Sequence, residues 1–229
     1  MTNKDLSSEV VTAEEGEVFD IELEEDILKR NRELAEENRR ILDKYDVTAI
    51  DVMGSIGSGK TSLIEALAER LKDQYRIAVI AGDLTTTIDA MRVKRHGVES
   101  IQVNTGKECH LDANLISKAL ERLRLGDIDL LFIENVGNLI CPAEFDLGSH
   151  KRIVVISVTE GEYMVIKHPY IFMNSDVAVI NKIDLAEAME VNPEKLAADA
   201  KQINPKIRVV LTSIKQNVGI EGVIKALNL

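Results

Sequence analysis

The feature that most constrains this chain is a glycine-rich segment that ends in a lysine and hydroxyl residues. It reads Gly54, Ser55, Ile56, Gly57, Ser58, Gly59, Lys60, Thr61 and then Ser62. Residues 54–61 match G-x-x-x-x-G-K-[ST], the pattern of a phosphate-binding loop between a β-strand and an α-helix. An apolar, β-branched run at 47–53 predicts that strand, and apolar residues at helical spacing over 62–71 predict that helix. The sequence therefore predicts a nucleotide-binding site.

The chemistry of phosphate binding explains the residue types in this loop. Backbone N–H groups converge on a phosphate only where the chain turns tightly, and glycine permits such turns. The helix that follows directs the positive end of its dipole at the same point. We expect Lys60 to contact the β- and γ-phosphates and the Thr61 hydroxyl to bind Mg²⁺.

Segments typical of strands and helices alternate along the rest of the chain. Strands are predicted at 76–81, 100–103, 129–133, 152–158, 177–180 and 207–211, and helices at 20–44, 111–125, 193–203, 220–227 and in a segment ending near 95. This alternation indicates an α/β fold, a mainly parallel sheet with helices on both faces. We expect one such domain at 46–229, preceded at 1–45 by an N-terminal helical extension.

The extension at 1–45 is predicted to be an acidic tail followed by an amphipathic helix. Ile27, Leu34 and Ile41 recur every seventh residue, flanked by Leu28, Ala35 and Leu42, and give a charged segment an apolar stripe. Two interpretations stay open, because the helix can pack on its own domain or reach a second subunit.

Composition argues against several classes of partner. The net charge is −11 without a basic stripe, which disfavours sequence-independent binding of nucleic acid. No apolar run is long enough to span a membrane, and the first residues lack the apolar core of a signal peptide. We therefore expect a cytoplasmic protein that binds neither membranes nor nucleic acid.

A second motif indicates which base the nucleotide has. Asn181, Lys182, Ile183 and Asp184 follow a buried strand late in the chain. Guanine presents two adjacent donors, N1–H and the 2-amino group, and one carboxylate accepts both. Adenine lacks this pair and would leave Asp184 buried without a partner, so the sequence predicts GTP as the substrate. Ser213 follows the last strand, where a backbone donor to guanine O6 would fit.

Magnesium requires hard oxygen ligands beside the β- and γ-phosphates. Thr61 is one candidate, and Asp83 and Glu134, each at the end of a predicted strand, are the next. Phosphoryl transfer depends mainly on orientation and charge neutralisation, so we expect Lys60, Asp83 and Glu134 to act in catalysis. Three roles stay open for each of these two carboxylates. Each can bind Mg²⁺, position the attacking water, or be an ordinary solvated loop residue.

Cys109 and Cys141 are the two cysteines of the chain, and His110 directly follows the first. Two thiolates and an imidazole suit borderline ions such as Ni²⁺ and Zn²⁺. Because there is no C-x-x-C motif, the spacing alone favours buried thiols over a metal site or a redox sensor.

The other histidines are His96, His150 and His168. Nothing in their spacing indicates a ligand, and we interpret them as surface or locally bonded residues.

Together these segments resemble the nickel-incorporation GTPases of hydrogenase maturation, which belong to the SIMIBI class of P-loop GTPases. The resemblance runs from about residue 20 to the C-terminus and rests on residues 54–61, 82–83, 109–112, 134–142 and 181–184. It implies a homodimeric GTPase that helps deliver nickel to the large-subunit precursor of a [NiFe] hydrogenase, with a small nickel-binding chaperone as partner. It also implies that Cys109, His110 and Cys141 bind nickel or zinc.

The chain departs from part of that family in two respects. Some members have an N-terminal cysteine motif or a histidine-rich run that binds nickel, whereas residues 1–45 contain neither Cys nor His. We therefore do not expect nickel storage by this segment. The prolines usual in the family's phosphate loop are replaced by Ser55 and Ile56, at positions that need contribute only backbone.

The spacing also suggests how the two sites are coupled. Gly137 lies where a loop could sense the γ-phosphate, and Cys141 is close behind it in the chain. Our hypothesis is that GTP binding shifts this loop and changes the metal site or the dimer. Three ligands leave a four-coordinate ion incomplete, and a site near a two-fold axis obtains ligands from both chains.

Three other functions remain as alternatives. The urease accessory GTPases resemble this chain but place metal ligands in a Cys-Pro-His motif, and here Ala143 follows Pro142. A small-molecule P-loop kinase is disfavoured by the guanine motif at 181–184 and by the lack of an evident acceptor site. In a plain metal-binding module, GTP hydrolysis would be incidental. The sequence does not determine whether the bound ion is nickel or zinc, how fast GTP is turned over, or in which order nickel passes between the partners.

Overall fold

The computed structural model describes residues 21–83, 98–106 and 108–229, apart from the side chains of residues 21–24 and 83. The predicted tail, the predicted helix ending near 95 and His96 lie outside the described residues. The strands are β1 Thr48–Gly54, β2 Ile77–Asp83, β3 Glu99–Asn104, β4 Leu130–Glu134, β5 Lys151–Ser157, β6 Val177–Asn181 and β7 Arg208–Leu211. The helices are α1 Ile21–Lys44, α2 Lys60–Leu71, α3 Ala113–Leu120, α4 Cys141–Glu144, α5 Met164–Lys167, α6 Pro169–Met173, α7 Pro193–Ile203 and α8 Ile220–Leu227.

The strands form one parallel sheet in the order β3-β2-β4-β1-β5-β6-β7. Every residue of β4 and of β6 is buried, which explains their continuous apolar sequences, because parallel strands are covered on both faces. The α/β fold predicted from the sequence is confirmed. Strand β1 lies at the centre, so the loop that follows it emerges from the middle of the sheet.

The helices cover both faces of the sheet, as predicted. Helices α2 and α8 bury their apolar sides against one face, where Ile50, Phe132 and Val155 point. On the other face, α7 packs over Met53 and Val154, and α1 and α3 pack over the neighbouring strands. These contacts hold the carboxyl ends of β1 and β4 in a fixed frame.

Helix α3 is shorter than the predicted helix at 111–125. It begins after Asp112, whose carboxylate accepts a hydrogen bond from the backbone N–H of Leu115 at 2.7 Å and caps the helix. It ends at Leu120, although Leu123 and Leu125 still pack into the core. Because their burial continues the apolar periodicity past the helix end, the sequence pattern overstated its length.

Helix α1 packs on its own chain, through a face that matches the predicted stripe only in part. Its buried positions are Asn31, Ala35, Asn38 and Leu42. Ile27 and Ile41 of the predicted stripe are 49% and 37% exposed. Ala35 and Leu42 of the predicted stripe are buried, but the buried face also includes Asn31 and Asn38, which an apolar pattern does not detect.

Both asparagines of this face bind backbone groups. Asn38 donates to the carbonyl of Ala113 at 2.8 Å, and Asn31 accepts from the N–H of the same residue at 2.8 Å. Asn31 also donates to the carbonyl of Asp146 at 2.8 Å. These bonds pair the two side-chain amides and the backbone groups of Ala113, whereas the side-chain oxygen of Asn38 has no partner among the described residues.

Candidate functional site

The phosphate-binding loop joins the end of β1 to the start of α2, as the motif predicts. Gly54 has a φ of 146°, and a Cβ there would lie 2.1 Å from the carbonyl oxygen of Val155. Gly59 has a φ of 110°, and a Cβ there would lie 2.4 Å from the side-chain amide of Asn181. Only glycine fits either position, so the tight turn depends on both.

The Lys60 ammonium lies inside the curl of this loop. It donates to the carbonyl oxygens of Gly54 at 3.2 Å and Ser55 at 3.0 Å. The Ser58 hydroxyl also donates to the Ser55 carbonyl, at 2.9 Å. The loop is therefore shaped around the positive charge that the motif places there.

The loop forms one wall of a cavity of about 1210 Å³ at the carboxyl ends of the strands. The predicted site residues that line it are Ile56, Gly57, Gly59, Lys60, Thr61, Ser62, Glu134, Gly137, Asn181, Lys182, Asp184, Ser213 and Cys109. Gly54, Ser55 and Ser58 belong to the loop but do not line this cavity. Such a crevice outside the carboxyl ends of parallel strands is the usual ligand site of open α/β sheets.

A hydroxyl and a carboxylate meet beside the loop. The Thr61 hydroxyl donates to Glu134 Oε1 at 2.6 Å, and both side chains are buried. This pair of hard oxygen donors fits Mg²⁺. Asp83 ends strand β2, and Ala81 of that strand is paired with Glu134 in the sheet. The backbone of Asp83 therefore lies at the same edge, while its side chain is outside the described residues.

The guanine motif is attached to the phosphate loop by hydrogen bonds. Asn181 donates to the Ser58 carbonyl at 2.9 Å, and its amide oxygen accepts from the Ile214 N–H at 3.2 Å. Lys182, which has a φ of 60°, donates to the Gly57 carbonyl at 2.7 Å. Hydrogen bonds thus join the segment predicted to bind the base to the phosphate loop.

A neighbouring bond holds the carboxylate that the sequence assigns to the base. The Ser213 hydroxyl donates to Asp184 Oδ1 at 2.5 Å. A carboxylate has several lone-pair sites, so Asp184 keeps acceptor capacity beyond this bond. The Ser213 side chain therefore orients Asp184, in addition to the backbone role expected at this position.

Cys109, His110 and Cys141 come together although they belong to separate segments. Their candidate ligand atoms all lie within 4.8 Å of one another. The two Sγ atoms are 2.9 Å apart, and Nδ1 of His110 is 3.9 Å from Sγ of Cys109. Two sulfurs and one imidazole form a donor set that fits Ni²⁺ or Zn²⁺.

The surroundings of His110 suit the metal-ligand role that is predicted for it. The ring stacks on Phe145, with centroids 3.8 Å apart and an interplanar angle of 30°. Burial lowers the pKa of His110 below its ordinary value, which favours the neutral imidazole that binds metals. Burial and the neighbouring Cys109 raise the pKa of Cys141, so binding of a metal there would release a proton.

Asn138 connects the phosphate loop to the metal cluster. Its N–H donates to the carbonyl of Gly54 at 3.1 Å, and its side-chain amide donates to the Cys109 carbonyl at 3.5 Å. Its side-chain oxygen accepts from the Ile140 N–H at 2.9 Å, just before Cys141. One residue therefore contacts the loop that binds phosphate and both cysteine segments.

Sequence reasoning missed three polar residues near the site. Asp51, Asn135 and Arg152 interact with one another, Asn135 lines the cavity, and Asp51 is fully buried. The available signal was a carboxylate in the otherwise apolar run at 47–53, together with an amide directly after Glu134. A buried charge requires a partner, so Asp51 implied a buried cation nearby.

The remaining histidines that the structure describes are bonded locally, as interpreted from the sequence. His150 accepts from the Ala49 N–H at 3.0 Å and contacts Asp43 at 2.9 Å. His168 Nδ1 lies 3.0 Å from the Met164 carbonyl.

Among the described residues, no helix is both long enough and apolar enough to cross a membrane.

Comparison with known proteins places the chain in a family. The nucleotide-binding domain of the CobW/HypB/UreG family matches residues 48–211. A probable hydrogenase maturation factor HypB from Methanocaldococcus jannaschii is 57% identical over 205 residues, which cover 90% of this chain and 93% of that protein.

Two solved structures agree with this assignment. The crystal structure of hydrogenase maturation factor HypB from Archaeoglobus fulgidus has a TM-score of 0.82 and 47% identity, and the match covers 87% of this chain and 98% of that one. The crystal structure of HypB from Helicobacter pylori in complex with nickel has a TM-score of 0.82 and 35% identity, with 87% and 94% covered. The chain therefore belongs to the CobW/HypB/UreG family and, within it, to the HypB hydrogenase maturation factors.

Proposed function

We propose that this protein hydrolyses GTP to GDP and phosphate, and that its nucleotide state controls a nickel site used in hydrogenase maturation. The observation that supports this most directly is the position of Cys109. It lines the cavity beside Lys60 and Gly137, and it also belongs to the metal cluster. A shape change in the nucleotide cavity therefore reaches a metal ligand without an intermediate domain.

Guanine selection rests on Asp184 and its support. The carboxylate accepts the two adjacent donors of guanine, and the Ser213 hydroxyl holds it in place. Adenine offers no such donors, so binding of ATP would leave a desolvated carboxylate unpaired, at a cost of several kcal/mol. We therefore assign GTP as the substrate and the segment at 181–184 as its base-binding site.

Hydrolysis requires positioning of phosphate and water. In this assignment Lys60 and the loop N–H groups bind the β- and γ-phosphates, and Thr61, Glu134 and Asp83 supply the ligands and water contacts for Mg²⁺. Bound Mg²⁺ neutralises charge on the phosphates. Ser62 and Gly137 complete the cavity, the latter close enough to Ile56 that a Cβ would lie 2.4 Å from its Cγ1.

Nickel is the cargo in this proposal. Cys109, His110 and Cys141 supply three donors, and the Helicobacter pylori relative was solved with nickel. A four-coordinate ion needs a further ligand, which a second copy of the chain provides if the site lies near a two-fold axis. We therefore propose a cytoplasmic homodimer that works with a nickel-binding chaperone on the hydrogenase large-subunit precursor. Zinc suits the same donors.

Phosphate release from GTP and from ATP tests the enzymatic part. We expect release from GTP in clear preference to ATP, and a loss of at least about 100-fold in Lys60→Ala, because the cation that neutralises the phosphates is removed. Lys72→Ala is the matched control, since this lysine follows α2 and pairs with Glu69 at the surface. Equal use of ATP, or transfer of phosphate to an added acceptor instead of water, would contradict the proposal.

A further inference from the structure

A chain of largely buried polar side chains links Asn135, which lines the nucleotide cavity, to the two cysteine segments. Asn135 donates to Asp51 Oδ1 at 3.2 Å, and Arg152 Nε lies 3.5 Å from Asp51 Oδ2. Asn135 is 1% exposed and Asp51 is 0% exposed. The Arg152 side chain is 16% exposed, and removing either charge would leave the other, largely buried charge without its partner.

One end of this chain fixes the segment of Cys109 and His110. The side-chain oxygen of Asn135 accepts from the N–H of Leu111 at 3.0 Å, and Leu111 directly follows His110. The same oxygen accepts from the N–H of Val136 at 3.0 Å. One oxygen therefore binds the backbone next to His110 and also the backbone that leads to Gly137.

The other end fixes the segment of Cys141. Arg152 Nη2 donates to the carbonyl of Pro142 at 2.8 Å and to that of Phe145 at 3.4 Å. Pro142 follows Cys141 directly. Both halves of the metal cluster are thus tied, through backbone groups next to their ligands, to the single carboxylate of Asp51.

The same residues adjoin the nucleotide site. Asn135 directly follows Glu134, whose carboxylate accepts from Thr61. Asp51 lies in β1, the strand that leads into the phosphate loop, and is paired in the sheet with Ile133. If the Val136 backbone moves toward a γ-phosphate, the shared oxygen of Asn135 changes its bond to Leu111.

We propose that Asn135, held by the Asp51–Arg152 ion pair, is the positioning residue that sets the distance between the Cys109 segment and the Cys141 segment and transmits the nucleotide state to them. This inference rests on the proposed nickel and GTP function. Asn135 contacts neither the metal nor the phosphates in this account and acts through Leu111 and Val136.

The test measures nickel affinity of the full chain with GDP and with a non-hydrolysable GTP analogue. In Asn135→Asp the acceptor oxygen remains, but the donor to Asp51 is lost and two carboxylates face each other. We expect nickel affinity to fall by about 10-fold or more, as for other residues that orient metal ligands, and the difference between the two nucleotides to disappear. Affinity for GDP is expected to stay near the wild-type value.

Two further variants separate positioning from general damage. Asp51→Asn with Asn135→Asp exchanges the amide and the carboxylate. It restores the bond between these two residues but loses the ion pair with Arg152, so it is expected to recover part of the nickel affinity and of its nucleotide dependence. Arg152→Lys keeps a positive charge against Asp51 but removes the guanidinium donor to Pro142, and should weaken nickel binding even if the first variant does not fold. Asn204→Asp is the control, because its amide donates to the carbonyl of Ser175 and its oxygen accepts from the N–H of Lys206, neither of which lines the nucleotide cavity.

The outcomes distinguish this inference from the function on which it rests. If wild type shows nucleotide-dependent nickel affinity and both Asn135→Asp and Arg152→Lys retain it at wild-type strength, the inference is wrong and the proposed function stands. If wild type binds nickel equally with both nucleotides, the proposed coupling fails, and the transmitting role of Asn135 fails with it. Weaker nickel binding in Asn135→Asp, but not in Asn204→Asp, supports the positioning role in either case.

Discussion

One buried carboxylate makes the stability of this fold depend on pH. Burial raises the pKa of Asp51 from 3.8 to about 6, against the opposing effects of Arg152 and Asn135. Between these two values the folded protein binds more protons than the unfolded chain, so the free energy of unfolding decreases as the pH rises through that window. Each pKa unit corresponds to about 1.4 kcal/mol, which gives this group an effect of about 3 kcal/mol.

Asp51→Asn removes that titration. Between about pH 4 and pH 6, we expect its free energy of unfolding to decrease less, or to increase more, than that of the wild type, by about 2 kcal/mol in the difference. Urea unfolding of both proteins at several pH values measures this, and other titrating groups cancel in the comparison. Parallel pH profiles for the two proteins would mean that Asp51 does not titrate in this range.

Asp184 offers a test of base selection. In Asp184→Asn the amide N–H₂ faces the 2-amino group of guanine, donor against donor, whereas xanthine presents an acceptor oxygen there. We expect GTP to bind about 100-fold more weakly and XTP to bind better than it does to the wild type. Competition of GTP and XTP against labelled GDP or XDP measures this change in base specificity. An unchanged preference for GTP would show that Asp184 does not contact the base.

At the scale of elements, helix α1 shows how much of a helix's buried face an apolar sequence pattern predicts. The helix formed as predicted, but its buried face includes Asn31 and Asn38, which bind the backbone around Ala113. Leu42 is fully buried against the core, whereas its neighbour Ile41 is partly exposed. Polar residues that satisfy buried backbone groups thus decided the orientation of the helix.

Leu42→Ala and Ile41→Ala form a matched pair on this helix. We expect Leu42→Ala to reduce the free energy of unfolding by about 2–5 kcal/mol, because it opens a cavity in the core. Ile41→Ala should cost less than about 1 kcal/mol, because the side chain is already partly in solvent. Urea denaturation of both variants measures this, and equal losses would indicate that the two positions are buried alike.

The strands and the phosphate loop could be predicted from the sequence because both depend on local patterns. The apolar runs of β4 and β6 and the glycines at 54 and 59 are visible without knowledge of the fold. The metal cluster was different, because the Cys109 and Cys141 segments meet only through tertiary structure. The spacing alone favoured buried thiols, and the resemblance to a family changed that interpretation. The Asp51–Asn135–Arg152 contacts left only indirect signs in the sequence.

At the scale of the whole molecule, two sites share one edge of the sheet. The phosphate loop follows β1, Glu134 ends the adjacent strand β4, and Cys109 lies on the wall of the same cavity. Asn138 contacts the phosphate loop and the backbone of Cys109. Because Cys109 and Asn138 contact both regions, binding at one site is expected to change the geometry of the other.

The most direct test is the mass of the protein in solution, measured by light scattering with GDP or a GTP analogue, each with and without one equivalent of nickel. The monomer has a mass of 25.4 kDa. We predict that the analogue or nickel shifts the mass toward a dimer, and that Cys141→Ala abolishes the effect of nickel. A mass that stays constant in all four samples, with equal nickel binding in each, would contradict the coupling of the two sites.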